Sequence, residues 1–175
     1  MMMKTGLLAL VATFAMVLSG QSAETTVKLS DVHLCCQSCV KGVNAAVGKV
    51  EGATATADKD AGTVTLSGPD AATVQKAANA LVKAGYFGKS SDDKIKISER
   101  SGAKGKNVQT LKVDGVHLCC GKCVKAVDEA VKSVSGVKAH TAEKNAESFE
   151  VTGDFNDKEV FTALHKAGLT GRVGK

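Results

Sequence analysis

The chain has 175 residues, a formal net charge of +5 and 43% hydrophobic residues. This length suits either one ordinary domain or two small ones. Basic and acidic residues are interspersed, and one Tyr and no Trp offer little surface for base stacking, which argues against nucleic-acid binding.

The first 23 residues have the pattern of a secretory signal peptide. Lys4 supplies a positive charge, residues 7–18 are an apolar run, and the small residues Gly20, Ser22 and Ala23 follow. The run is shorter than the roughly 20 residues that a membrane-spanning helix needs. We therefore predict cleavage near Ala23, a periplasmic or secreted mature protein, and no membrane insertion after cleavage. Retention of the segment as an anchor is the alternative.

The remainder of the chain is a tandem repeat. Residues 32–41 and 116–125 both contain Val-His-Leu-Cys-Cys-x-x-Cys-Val-Lys, and Leu-x-Lys-Ala-Gly at residues 81–85 recurs at 164–168. The repeat predicts two homologous domains, residues 25–90 and 108–175. The charged, glycine-containing residues 91–107 are interpreted as a linker, with a short apolar alternation that could extend the last strand of the first domain.

Each repeat predicts the same order of elements. Val27 and Leu29 alternate with polar residues as in a strand, and valines at three-and-four spacing after the cysteine motif indicate an amphipathic helix. In the first repeat a hairpin over residues 53–67, a second helix and a short last strand over about residues 86–90 follow. The last strand of the second repeat is predicted over about residues 169–173. Gly85 and Gly168 are predicted to end the second helix of their repeats. The order β-α-β-β-α-β predicts an α+β fold of two tandem ferredoxin-like domains, each an α/β sandwich.

All six cysteines lie in the two Cys-Cys-x-x-Cys motifs, each between a strand end and the first turn of a helix. The positive end of a helix favours thiolate over thiol, so lowered pKa values are expected for Cys36, Cys39, Cys120 and Cys123. Thiolates select soft ions such as Cu(I), Hg(II) or Zn(II).

Cys35 and Cys119 would add a third sulfur to each site, a set that suits Cu(I) or Hg(II). Including His33 or His117 would instead give the three-cysteine, one-histidine set used for zinc. The sequence leaves the role of both histidines open. His140 and His165 lie apart from the cysteines and are interpreted as structural or surface residues.

Two other interpretations of the cysteines remain. An exported chain with an even number of cysteines often forms disulfides, although stabilising disulfides usually close longer loops than these. Cys-x-x-Cys at a helix start is also the motif of thiol-disulfide redox proteins. Such proteins usually include a cis-proline loop, whereas the single proline, Pro69, suits a helix start.

The strand, cysteine loop and helix, present twice, resemble the heavy-metal-associated domain family, which includes copper chaperones, the N-terminal domains of copper-transporting ATPases and the periplasmic mercury-binding protein. The family loop reads Gly-Met-x-Cys-x-x-Cys, and here His33-Leu34 and His117-Leu118 occupy the Gly-Met positions. An aromatic near this loop in some members matches Tyr86.

The resemblance implies a non-enzymatic protein that captures, transfers or detoxifies a soft metal ion, Cu(I) or Hg(II) rather than Zn(II). It implies a metal transporter or another metal carrier as partner. The metal ligands carried over from the family are Cys36, Cys39, Cys120 and Cys123. Cys35 and Cys119 stand at a variable position of the family loop and are additional candidates inferred from this chain alone.

Overall fold

The computed structural model describes residues 24–98 and 100–175 and contains two four-stranded antiparallel sheets with four helices. The predicted signal peptide, residues 1–23, lies outside the described residues. Within the part of the chain that is described, no helix is both long and apolar enough to cross a membrane.

The two halves have the same succession of elements. The first half contains β1 (Thr25–Ser30), α1 (Gln37–Val47), β2 (Thr54–Asp58), β3 (Thr63–Gly68), α2 (Ala71–Lys83) and β4 (Lys89–Ser90). The second half contains β5 (Asn107–Asp114), α3 (Gly121–Lys132), β6 (Val137–His140), β7 (Ser148–Asn156), α4 (Asp157–Lys166) and β8 (Arg172–Val173).

The strand orders are β2-β3-β1-β4 and β6-β7-β5-β8, with all neighbours antiparallel. Val27 and Leu29 on β1 point into the first core because alternate residues of a strand share one face. Val43 and Val47, four apart on α1, are buried in the same core. The predicted fold class, two ferredoxin-like βαββαβ units, is confirmed.

Residues 91–98 and 100–106 include contacts to both halves. The amide of Ser91 donates to the carbonyl of Lys28 on β1 at 2.9 Å, and Ile95 is 2% exposed. Toward the second half, the carboxylate of Asp157 accepts hydrogen bonds from the amides of Lys104 and Lys106, both at 2.9 Å. The segment predicted as a linker therefore has fixed contacts along much of its length.

The chain after α2 meets the chain after α4 and joins the two halves. Tyr86 and Leu169 form an isolated antiparallel bridge. The carbonyl of Gly168 accepts from the amide of Phe87 at 3.1 Å and from the amide of His33 at 3.2 Å. The two halves thus face each other with their cysteine loops on the same side of this contact.

Two glycines are required at this contact. Gly85 and Gly168 have φ values of +88° and +73°, which favour glycine. A Cβ on Gly168 would lie 2.4 Å from the carbonyl oxygen of Asp31, and one on Gly85 would lie 2.4 Å from the amide nitrogen of His117. These glycines do more than end helices, since they also let the backbones of the two halves approach each other.

Candidate metal centre

The first turns of α1 and α3 position the inner cysteine of each loop. Cys36 and Cys120 are the N-cap residues, with extended backbones at φ −160° and −156°. The amides of Cys39 and Cys123 each donate to the carbonyl of their N-cap residue at 3.0 Å. This turn directs Cys39 and Cys123 inward, where both are 0% exposed. Cys35, Cys36, Cys119 and Cys120 are half-buried.

A leucine lies beneath each loop. Leu34 is 5% exposed and Leu118 is 4% exposed, and both belong to the hydrophobic core. In the family that the loops resemble, methionine packs at this position. Here the shorter leucine anchors the loop to its core and offers no sulfur to a metal.

The six cysteine sulfurs of the two loops lie together, and we call them the thiol cluster. Within the loops, the sulfur–sulfur distances are Cys35–Cys39 3.6 Å, Cys36–Cys39 3.8 Å, Cys119–Cys123 3.6 Å and Cys120–Cys123 3.9 Å. Between the loops they are Cys35–Cys120 3.4 Å, Cys35–Cys123 3.5 Å, Cys36–Cys119 3.6 Å and Cys39–Cys119 3.6 Å. The contacts between loops are as short as those within them, so the cluster is one site and not two.

All six cysteines are free thiols. The shortest sulfur–sulfur distance, 3.4 Å between Cys35 and Cys120, is far longer than a disulfide bond of about 2.05 Å. The structure therefore presents reduced sulfurs that are available as ligands, and contains no disulfide framework.

The two most buried thiols have opposite pKa shifts. The hydrogen bond with Cys123, supported by His117 and Cys119, lowers the pKa of Cys39 to about 2 despite its burial. The same contact with Cys39, together with burial, raises the pKa of Cys123. The expectation of a lowered pKa is therefore wrong for Cys123, because a thiolate on Cys39 disfavours a second negative charge beside it.

The remaining shifts follow from burial and neighbouring donors. Burial, reinforced by the thiol of Cys120, raises the pKa of Cys35 to about 12, and burial also raises the pKa of Cys119. Burial opposes ionisation of Cys120 as well, but hydrogen bonds from the backbone of Cys123 and the thiol of Cys35 lower its pKa to about 6. The metal-free cluster therefore retains protons that a bound metal ion must displace.

His117 is held by Tyr86 across the contact between the halves. The two rings are stacked with centroids 4.6 Å apart. The Tyr86 hydroxyl donates to the carbonyl of Cys39 at 2.9 Å and lies 3.0 Å from Nε2 of His117. Since a hydroxyl has one proton to donate, Nε2 of His117 is the donor in the second bond. Leu169, the counterpart of Tyr86, cannot make these bonds, so the two halves differ here.

His33 occupies the matching position of the first loop but is bonded differently. Its Nε2 is buried with no hydrogen-bond partner among the described residues. A ring nitrogen of His33 lies within 4.8 Å of the sulfurs of Cys35 and Cys123. Burial lowers the pKa of His33, which favours the neutral imidazole that binds metals.

The other two histidines lie apart from the thiol cluster. Nε2 of His140 is 2.9 Å from a carboxylate oxygen of Asp128 on α3. His165 stacks on Phe87 of the other half with ring centroids 3.9 Å apart. His165 therefore contributes to the contact between the halves, a role that its position in the sequence did not indicate.

Two surface depressions reach the cluster from outside. One is lined in part by His33 and Cys35, and the other in part by His117 and Cys119. Each depression therefore includes the leading cysteine of one loop among its lining residues.

No model of a known protein family matches the chain, and no curated protein matches it. Among solved structures, the N-terminal domain of PacS from Synechocystis PCC6803 is 24% identical over 39% of this chain and 100% of its own, with a TM-score of 0.36. The N-terminal soluble domains of Bacillus subtilis CopA are 14% identical over 87% of this chain and 95% of theirs, with a TM-score of 0.32. The first two RRM domains of the yeast poly(U) binding protein Pub1 are 11% identical over 86% of this chain and 98% of theirs, with a TM-score of 0.23.

Proposed function

We propose that this chain is an exported protein that captures a soft metal ion, Cu(I) or Hg(II) in preference to Zn(II). It then passes the ion by ligand exchange to a metal transporter or another carrier, without catalysing a reaction. The observation that carries the proposal is the thiol cluster, in which six free sulfurs from two loops lie 3.4 to 3.9 Å from their neighbours.

The donor set favours soft ions. In the described part of the chain, the sets of ligand atoms that lie within 4.8 Å of one another contain cysteines and His33, and no carboxylate. Hard ions such as Mg²⁺ and Ca²⁺ prefer oxygen ligands, whereas thiolates select Cu(I) and other soft ions. The N-termini of α1 and α3 add partial positive charge that stabilises the thiolates.

The graded exposure of the sulfurs suits transfer. Cys35 and Cys119 line the two depressions at the surface, while Cys39 and Cys123 are fully buried. An incoming ion bound to a partner's thiolates meets the four half-buried cysteines first and exchanges ligands one at a time toward the buried pair. Outward transfer follows the same steps in reverse.

Export is proposed from the sequence of residues 1–23, whose charge, apolar run and small residues are typical of a cleaved signal peptide. Fractionation of cells that express the tagged full chain, combined with N-terminal sequencing of the mature protein, tests this point. Recovery of uncleaved chain in the cytoplasm would contradict it.

The metal-binding proposal is tested by competitive titration of the reduced protein with Cu(I), Hg(II) and Zn(II). The double variant Cys36→Ser with Cys120→Ser is the comparison, with circular dichroism to confirm its fold. Losing a residue that only supports a metal ligand costs up to about 100-fold in affinity. Because the double variant loses two direct ligands, we expect its affinity for Cu(I) and Hg(II) to fall by more than that factor. Unchanged affinity for all three ions would refute the proposal. Counting free thiols on protein isolated from its compartment separates metal binding from the disulfide interpretation.

A further inference from the structure

Four sets of three cysteines can be chosen from the thiol cluster so that they share sulfurs in a regular way. Three sets have all their sulfurs within 4.8 Å of one another: Cys35 with Cys36 and Cys120, Cys36 with Cys39 and Cys119, and Cys119 with Cys120 and Cys123. In the fourth, Cys35 lies 3.6 Å from Cys39 and 3.5 Å from Cys123. Every cysteine belongs to two of these sets, and any two sets share one cysteine.

The spacing within the sets matches three-coordinate binding. A metal–thiolate bond of about 2.3 Å places three sulfurs around one ion about 4.0 Å apart, and two sulfurs on opposite sides of an ion about 4.6 Å apart. The contacts in the thiol cluster are 3.4 to 3.9 Å. In the set of Cys36, Cys39 and Cys119 all three distances are 3.6 to 3.8 Å, so small outward movements would fit a trigonal ion there. The two sets that contain Cys120 keep their sulfurs within 4.8 Å of one another, which is also compatible with a trigonal ion.

Tetrahedral binding lacks ligands in most of the cluster. Zinc sites usually have four ligands, and each set offers three ligand atoms. His33 supplies an additional nitrogen at one place, near Cys35 and Cys123. Sets of three sulfurs therefore fit the coordination number of Cu(I), which accepts three thiolates, better than that of Zn(II).

We propose that the two loops together bind four Cu(I) ions as a single cluster, with one ion in each set of three sulfurs and every sulfur bridging two ions. The inference rests on the proposed function, because it takes Cu(I) as the cargo. It goes further in assigning one shared polynuclear site to the two halves, with Cys35 and Cys119 as bridging ligands.

The binding step balances without electron transfer. The cysteines that still carry a proton release it to the solvent, and the four Cu(I) ions keep their oxidation state. Six thiolates with four Cu(I) ions then carry a surplus of two negative charges. The N-termini of α1 and α3, which begin at Gln37 and Gly121 beside the cluster, place two partial positive charges next to it.

The test is an anaerobic titration of the reduced protein with Cu(I) buffered by a chelator, followed by native mass spectrometry and X-ray absorption at the copper edge. We expect saturation at four coppers per chain, partly loaded species that stay minor, three sulfur neighbours per copper and a short copper–copper distance. Saturation at two coppers with two sulfur neighbours each would overturn the cluster and leave the proposed function standing. Absence of competitive Cu(I) binding would overturn the cluster, and absence of competitive Hg(II) binding as well would overturn the proposed function too.

Cys35→Ser separates the shared cluster from two independent Cys-x-x-Cys sites. Because Cys35 belongs to two sets, its loss should lower saturation from four coppers to two or fewer. Independent sites at Cys36/Cys39 and Cys120/Cys123 would bind the same number of coppers in the variant as in the parent. Cys119→Ser is the matched variant in the other loop and should give the same reduction. Equal stoichiometry in parent and variants would overturn the bridging role.

Discussion

Replacing Gly168 with alanine tests the contact that brings the two cysteine loops together. The new Cβ would lie 2.4 Å from the carbonyl oxygen of Asp31 and 2.5 Å from the amide nitrogen of His33, so the backbones must move apart. That movement breaks two hydrogen bonds to the carbonyl of Gly168, from His33 and Phe87. A left-handed alanine costs about 1–2 kcal/mol and each lost bond about 0.5–1.5 kcal/mol. The expected loss of stability is therefore about 2–5 kcal/mol.

Gly52→Ala is the matched control for Gly168→Ala. Gly52 has a φ of +74°, and a Cβ there would make only ordinary contacts, 3.5 Å from Pro69. It should therefore lose only the conformational term of about 1–2 kcal/mol. Urea unfolding of the reduced, metal-free proteins measures this difference.

The single tyrosine gives a direct signal from the contact. The chain has no tryptophan, and Tyr86 is 2% exposed against His117 of the other half. Acrylamide should quench tyrosine fluorescence more strongly in Gly168→Ala than in the parent, with no change in Gly52→Ala. Equal stability losses and equal quenching in both variants would refute the described approach of the two backbones.

Three further predictions concern stability. Burial alone would raise the pKa of the Asp157 carboxyl, but hydrogen bonds from backbone amides outweigh it and lower the pKa. The contribution of Asp157 to the free energy of unfolding is therefore complete above the unfolded-state pKa of about 3.9. It is lost as the pH falls through the lower pKa of the folded state. Asp157→Asn should lose that contribution at neutral pH, and its urea midpoint should fall less than the parent's on acidification; an identical pH profile would contradict this. Tyr86→Phe removes the donor to Cys39 and the acceptor for His117, and should cost about 1–3 kcal/mol in thermal unfolding, whereas an unchanged midpoint would show that the hydroxyl contributes nothing. Phe161 is 1% exposed, and Phe161→Ala should lower the unfolding free energy of the second half by about 3–5 kcal/mol; a loss below about 1 kcal/mol would contradict a packed core at that position.

Most of the fold follows from local patterns in the sequence. Val27 and Leu29 alternate with polar residues as in a strand, and Val43 and Val47 have helical spacing. The buried face of each element can therefore be predicted from its own residues. The last strands are the exception, since residues 86–90 and 169–173 were predicted as strands and only Lys89–Ser90 and Arg172–Val173 pair in the sheets. The preceding residues are used instead for the contact between the halves.

The meeting of the two loops could not be predicted from either loop. Within each repeat, the Ala-Gly that follows α2 or α4 indicates only the end of a helix. The close backbone approach at Gly85 and Gly168 cannot be seen there, because it involves residues far away in the sequence. The error for the pKa of Cys123 has the same origin. A helix N-terminus favours thiolate in an isolated loop, but here Cys39 already carries that charge beside Cys123. The resemblance to the family predicts an aromatic residue near the loop at Tyr86. It does not predict the hydrogen bond between Tyr86 and His117, because His117 belongs to the second half.

The leading cysteine of each loop makes sulfur contacts across the interface that are at least as short as those within its own loop. Within its own loop Cys35 has one sulfur contact, Cys39 at 3.6 Å, while its contacts across the interface, Cys120 at 3.4 Å and Cys123 at 3.5 Å, are shorter. Cys119 likewise contacts two sulfurs of the first loop, at 3.6 Å each. One loop alone already brings Cys119, Cys120 and Cys123 together. The second domain adds sulfur partners across the interface, and the glycines at the contact bring them within reach. The extra cysteine and the close approach of the halves are therefore parts of one arrangement, and altering either should reduce metal capacity in the same way.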